Sequence, residues 1–550
     1  MSIYLSILAI TSCKRDFPVS GTVSGDDVFP TKKLENPYSV FNMKRAFHRL
    51  MSEGAVSLRQ NPVHTTHYYV RFEPSDWAEY EALKSVKGLE LFDYPLDYEN
   101  YEYEGSFHDP GLPADKPTYQ YAAVPVDFQF PNVPYTLLEE LYLPEEDEAL
   151  SRDTTLLYQL EYKALEITGN WEEPVNGGND SERYGRWRPS GRILVHDDVG
   201  AYGNMISYLN LWDRHKIPVE NARVRIRRWF TTVRAVTDEK GYFTSPRRFR
   251  RPVNYSIIWE TPEFDIRDGT FGQAYYNGPK MRANWYLTIT GGKSLRYATI
   301  HRAACRYQYY NIGGLKRPNV WSKLKYCYYY RAQRNDAEGD NWGNWDFTGA
   351  FPDIRIFGKS YGEWIPTNQL YSTTIHETAH ASHIELMNGG EIQYAQVSKR
   401  IYESWANAVE WYITRIEYRW LGNYFYDEPG IRYVNGHDNE YRFVDNMQKW
   451  IGAIYWPNYD SLSDDNIEAI NNYSPIFIDL VDNFNQRVHF NNNTHYPNDI
   501  IHQYSMGQLE RIIKHVYGLT GLREKLKQNK PAGVTDAMID AQIGYYFNID

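Results

Sequence analysis

The sequence predicts a multidomain α+β protein, with a small N-terminal α+β module, a β-sandwich and a mainly helical C-terminal region. Three observations predict it. The chain has 550 residues, enough for three or four domains. Between about 190 and 262, apolar residues alternate with polar or charged ones at the period of two that a strand imposes. Beyond about 293 the apolar spacing changes to three and four, as in helices with one buried face. A net charge of −11 with 42% hydrophobic residues gives no basic excess for nucleic acid.

The first 13 residues, MSIYLSILAITSC, hold an apolar run short of the ~20 residues a membrane-spanning helix requires. Ile10-Thr11-Ser12-Cys13 resembles a bacterial lipobox, and LAITSCKRD is similar to the start of Bacteroidetes lipoproteins. That resemblance implies a signal peptide over 1–13, a lipid on Cys13, a polar tether over 14–34 and display on the outer membrane, with the lipid as the only membrane attachment. Residues 35–135 read as a small β-α-β module: a helix over 40–52, strands over 67–72 and 88–92, and Ser75 capping a helix between them. Residues 136–189 are acidic and read as a helical connector.

Three stretches mark the next domain: RILV at 192–195, PVENARVRI at 218–226 with apolar and arginine residues at period two, and TDEKGYF at 237–243 as a turn into a strand. Together, over 190–262, they resemble the carboxypeptidase regulatory-like domains, which implies a transthyretin-like β-sandwich acting as a scaffold. The arginines of 247–251 read as a solvated hairpin. Cys305 and Cys327 are as compatible with a disulfide as with two buried thiols.

Residues 264–550 contain the chemistry. His376-Glu377-Thr378-Ala379-His380 places two histidines four apart, so on a helix both imidazoles point from one face towards one metal ion. Glu377 lies about 100° round that helix, in reach of a metal-bound water, and is the candidate general base. A competing use is structural, because Thr374-x-x-Glu377 matches a capping box. Residues 353–357 (DIRIF) read as an edge strand lining the cleft, and Asn388-Gly389-Gly390 as the helix stop. A second amphipathic helix over 397–420 has Ile401, Trp405, Val409, Ile413 and Ile416 on its apolar stripe, and Glu403 off it, 23 positions after His380.

Here the chain resembles the gluzincin metallopeptidases, of the zincin type. The resemblance implies one Zn²⁺ held by His376, His380 and Glu403, with a water in the fourth position. It also places Asn407, one turn beyond Glu403, behind a ligand histidine, where the family has an acidic residue. His383 and Glu410 are competing candidates for the ligand set. A downstream hydroxyl or imidazole is implied for the oxyanion, with Tyr504 preferred among His495, Tyr496, His502 and Tyr504. Other helices are expected over 293–310 and 506–516, the latter opened by a Ser505–Gln508 capping box.

The activity this implies is zinc-dependent, endopeptidase-type hydrolysis of a polypeptide or glycoprotein at a bacterial surface. The competing reading is a surface lipoprotein that binds glycan or peptide through its aromatics, 49 Tyr and 16 Trp among them, around a structural or vestigial zinc site.

Overall fold

The structure is a computed structural model and describes residues 32–55, 62–99, 102–113, 115–146, 154–171, 186–318, 323–330, 344–346, 353–360, 363–387, 391–422, 474–489, 492 and 497–547. Cys13, most of the tether, Asn388 to Gly390, His495 and Tyr496 lie outside the described residues. The chain is a multidomain α+β protein, divided into two compact units.

The N-terminal unit takes in nearly all of the first 175 residues. Its three strands form an antiparallel sheet in which His67–Phe72 lies between Gln120–Pro125 and Tyr135–Leu141. Val70, Phe72, Ala122 and Val124 enter its core together with Leu83 of the helix Trp77–Lys84. That helix is capped by Asp76, whose carboxylate accepts the Glu79 N–H at 2.9 Å; the expected cap, Ser75, instead donates its hydroxyl to Glu79. Residues 88–92 are not a strand and contribute one isolated bridge, Phe92 to Tyr121. Nor is the acidic stretch after 135 helical throughout. Tyr135–Leu141 is the third strand, and among the described residues of this stretch the long helix is Thr154–Ile167, packed on Val40–Ser52.

In the second unit, two sheets share one core. One has the order 103–104, 275–281, 253–258, 223–228, 231–236; in the other, 190–196 is paired with 285–289, 216–218 and 242–244. The apolar residues of this stretch, Val219, Ala222, Val224 and Ile226, are all fully buried. The rings of Tyr255 and Trp285 stack across the two sheets with centroids 5.3 Å apart. The arginine face of 223–228 is not solvated: Arg225 is buried with its guanidinium over the Tyr275 ring. In the 247–251 cluster Arg248 is exposed, Arg247 and Arg250 are half-buried, and Arg251 is buried. Two strands of these sheets, Tyr275–Met281 and Trp285–Ile289, lie beyond residue 262. A domain boundary at 262–264 therefore cuts through the sheets, and a continuous core joins them to the helical region.

A third sheet lies under the helix that carries His376 and His380, with the order 272–273, 264–268, 324–329, 353–357, 344–346. The helix Gly292–Tyr309 precedes the second of its parallel strands, as a parallel pair requires a long crossover. Asp353–Phe357 is not the edge: Asn344–Asp346 lies outside it and runs antiparallel. Cys305 and Cys327 are separate buried thiols, Cys305 with its sulfur 3.3 Å from His301 Nε2.

A buried ionic chain ties the first sheets to the helices. Arg302 donates to Asp197 at 2.8 Å and to Glu417 at 3.3 Å, Arg306 Nε donates to Glu417 at 2.6 Å, and the Tyr418 hydroxyl donates to Asp197 at 2.9 Å. Burial disfavours charge on Asp197, yet Arg302 and the Gly200 N–H hold its carboxyl below the usual range. A depressed carboxyl stabilises the fold above its unfolded value and ceases to do so as pH falls through the folded one, so this chain is lost only in acid, below about pH 4. Arg302→Leu leaves two buried carboxylates short of a partner and should destabilise the second unit by about 3–5 kcal/mol. Urea unfolding followed by tryptophan fluorescence measures it.

Candidate metal centre

The first helix of the site, Thr367–Leu386, starts seven residues before Thr374. Its first turn is held by Asp198, whose carboxylate accepts the Thr367 N–H at 2.6 Å, a negative charge at the positive end of the helix. Thr374 is therefore interior. Its hydroxyl donates to the Leu370 carbonyl at 2.8 Å, and Thr374 with Glu377 forms no capping box. Buried on nearly every face, this helix rests on the third sheet, where Tyr326 and Thr378 hydroxyls meet at 2.9 Å.

The second helix, Lys399–Trp420, packs along the first, burying Ile401, Trp405, Val409 and Ile413. Its polar positions then meet the histidines. His376 Nε2 lies 3.2 Å from Glu403 Oε2, His380 Nε2 lies 3.4 Å from the same oxygen, and the two Nε2 atoms are 3.0 Å apart.

Those three edges can be tested against a metal. Tetrahedral ligands ~2.0–2.1 Å from a zinc ion stand about 3.3–3.4 Å from one another, so the triangle of Nε2, Nε2 and Oε2 is one face of a zinc tetrahedron to within a few tenths of an ångström. The far nitrogens are also held. His376 Nδ1 lies 3.0 Å from Glu410 Oε2, a carboxylate that can only accept, so the proton sits on Nδ1 and the Nε2 lone pair faces the site. His380 Nδ1 lies 2.8 Å from the Tyr394 hydroxyl, which can take its proton in the same way. The residues fit a zinc ion.

Glu410, not Asn407, supports the histidine. Seven residues along a helix turn through 700°, about 20° short of two turns, whereas four turn through 400°, about 40° past one. Both positions share the face of Glu403, and the crossing of the helices selects the more distant one, because His376 spans the gap with one nitrogen on each glutamate. The support is a carboxylate after all, which raises ligand basicity more than an amide would.

Tyr394, in the short helix Glu391–Tyr394, went unforeseen, since nothing in its spacing from the motif marks it. His383 is not in the triangle. It is buried beneath the Tyr394 ring, edge to face at 5.1 Å. Tyr504 is buried, and its hydroxyl donates to the Leu526 carbonyl at 2.9 Å. His502 is exposed beside Gln503.

Three carboxyl groups, those of Glu377, Glu403 and Glu410, crowd round the two imidazoles. Burial pushes the Glu377 carboxyl well above its usual range, and Glu403 and Glu410 add to this against the opposing His376. Burial disfavours the His376 cation, but Glu403 and Glu410 outweigh it and hold its pKa well above the ordinary value. Burial keeps His380 below its own. Without a metal, one proton on His376 substitutes for the missing cation.

Zinc must displace that proton, so at neutral pH its affinity should fall by about tenfold for each unit of pH lowered. Competition with a chelator of known affinity between pH 6 and 8 measures the slope, and a flat profile would contradict the arrangement. In the same assay Glu403→Ala should abolish stoichiometric zinc, Glu410→Ala should weaken it by roughly 10- to 100-fold, and Asn407→Ala should leave it within a few-fold of the parent.

No protein-family model matches the chain, and no curated protein matches it.

Proposed function

We propose that the chain is a zinc-dependent peptide hydrolase of gluzincin-like type, acting on a polypeptide or glycoprotein. The observation that carries this reading is the triangle of His376, His380 and Glu403 with the buried Glu377 on the next position of the same helix. A structural site has no use for a buried carboxylate beside it, and burial costs that carboxylate a great deal unless it has work to do.

A zinc ion held by the three would supply Lewis acidity, lowering the pKa of a water and polarising the scissile carbonyl. Glu377 takes the proton of the attacking water as its oxygen bonds to the carbonyl carbon, then delivers it to the amine nitrogen as the C–N bond breaks. Glu410 and Tyr394 keep the two imidazoles in one tautomer throughout.

The reading also places the chain at a cell surface through a lipid on Cys13. Among the described helices none is long and apolar enough to cross a membrane.

Glu377→Gln keeps size and hydrogen bonding but cannot accept a proton. The variant should hold one zinc and cleave a mixed peptide library at least ~10²-fold more slowly than the parent. Equal turnover would refute the mechanism, whatever the zinc content.

A further inference from the structure

The loop 312–316, which follows the helix Gly292–Tyr309, is wedged against both helices of the metal centre. A Cβ added at Gly313 would stand 2.5 Å from the Tyr412 ring on Lys399–Trp420, so the loop rests directly on that ring. The Lys316 carbonyl accepts the Ser382 hydroxyl of Thr367–Leu386 at 3.3 Å. A further helix, Met506–Ile513, closes on the same loop backbone to backbone. The Gly507 N–H donates to the Gly313 carbonyl at 2.9 Å, and a Cβ at Gly507 would stand only 2.6 Å from the Gly314 carbonyl oxygen.

Into this junction the helix 506–513 puts a carboxyl group. Glu510 is 1% exposed, and its two oxygens share one donor, the Lys316 N–H, at 3.0 Å each. A buried carboxylate needs several donors to stay charged, and the hydrogen bonds to Glu510 among the described residues come from that N–H alone.

The groups around it do little to restore the charge. Lys316 of the loop and Arg511 of its own helix favour the ion, yet both are exposed residues. From the helix 292–309 comes Tyr307, a phenol that burial holds above its ordinary value, with Glu510 adding to the effect. The two helices of the metal centre contribute the Ser382 hydroxyl and the Tyr412 ring. The helix Leu519–Gln528 packs on 506–513 and pairs its own charges, Arg523 with Glu524 and Lys527 with Asp540. Burial prevails and pushes the Glu510 carboxyl up to about 7.

We infer that Glu510 is a pH-sensitive clasp: with its proton it closes the helix 506–513 on the loop 312–316, and without it the loop is released. Opening lets water reach the carboxyl and returns it to its ordinary value of 4.5. The closed junction is therefore favoured fully below about pH 4.5 and loses that advantage as pH rises through about 7. The loop it governs supports Ser382, two residues after His380, so the device acts behind the metal centre and apart from its chemistry.

Hydrogen exchange of the full chain, read by mass spectrometry between pH 5 and 8 and corrected for the intrinsic rate at each pH, tests it. In the parent, protection of residues 312–316 should fall at least ~10-fold from pH 5 to 7.5, while the strand 223–228 holds its protection. Glu510→Gln keeps an oxygen for the Lys316 N–H and cannot ionise, so protection of its loop should not change over this range. If that variant does not fold, Glu510→Leu, apolar and of similar size, takes its place with the same expectation. Constant protection of the loop in the parent would overturn the assignment, as would a fall in the variant equal to the parent's.

Discussion

Two imidazole nitrogens and one carboxylate oxygen meet about 3 Å apart in the seam between two long helices. Such a meeting is unfavourable for the side chains without a proton or a cation between them, since each atom would present a lone pair to the others in a place with little water to screen them. Everything around the seam works to hold it closed. Asp198 fixes the start of the first helix, the third sheet lies beneath it, and the Asp197–Arg302–Glu417 chain anchors the far end of the second. Glu410 and Tyr394 then remove the rotational freedom left to the imidazoles.

Much of this was legible in the sequence, and the failures share a cause. The H-E-x-x-H spacing, the apolar stripe of the second helix and the choice of Glu403 depend on helical periodicity, which is local, and the structure brings His376, His380 and Glu403 together. The choice between Asn407 and Glu410 depends on how two helices cross. A difference of 60° around one helix does not decide that until the partner is placed. Tyr394 comes from a separate short helix and has no fixed spacing from the motif. Tyr504 looked available because a sequence does not show that the Leu526 carbonyl has taken its hydroxyl.

The fold was read with the same strengths and the same limit. Period-two alternation found the strands 190–196 and 223–228, yet the sheets take further strands from after residue 262, once the chain has already laid down 264–268 in another sheet. Non-local pairing of this kind leaves no periodic signal. Tyr135–Leu141 was misread because it opens an acidic stretch and its residues are mostly exposed; a strand lying at a sheet edge need not alternate. The capping-box match at Thr374 failed for the reverse reason, a local pattern overruled by a helix that begins two turns earlier.

Zinc coordination is the central claim, and X-ray absorption at the zinc edge of the reconstituted chain tests it most directly. The expected spectrum is that of a four-coordinate ion with only nitrogen and oxygen neighbours at ~2.0–2.1 Å and outer-shell scattering from two imidazoles. A six-coordinate ion without imidazole scattering, or a chain that retains no zinc to measure, would contradict it.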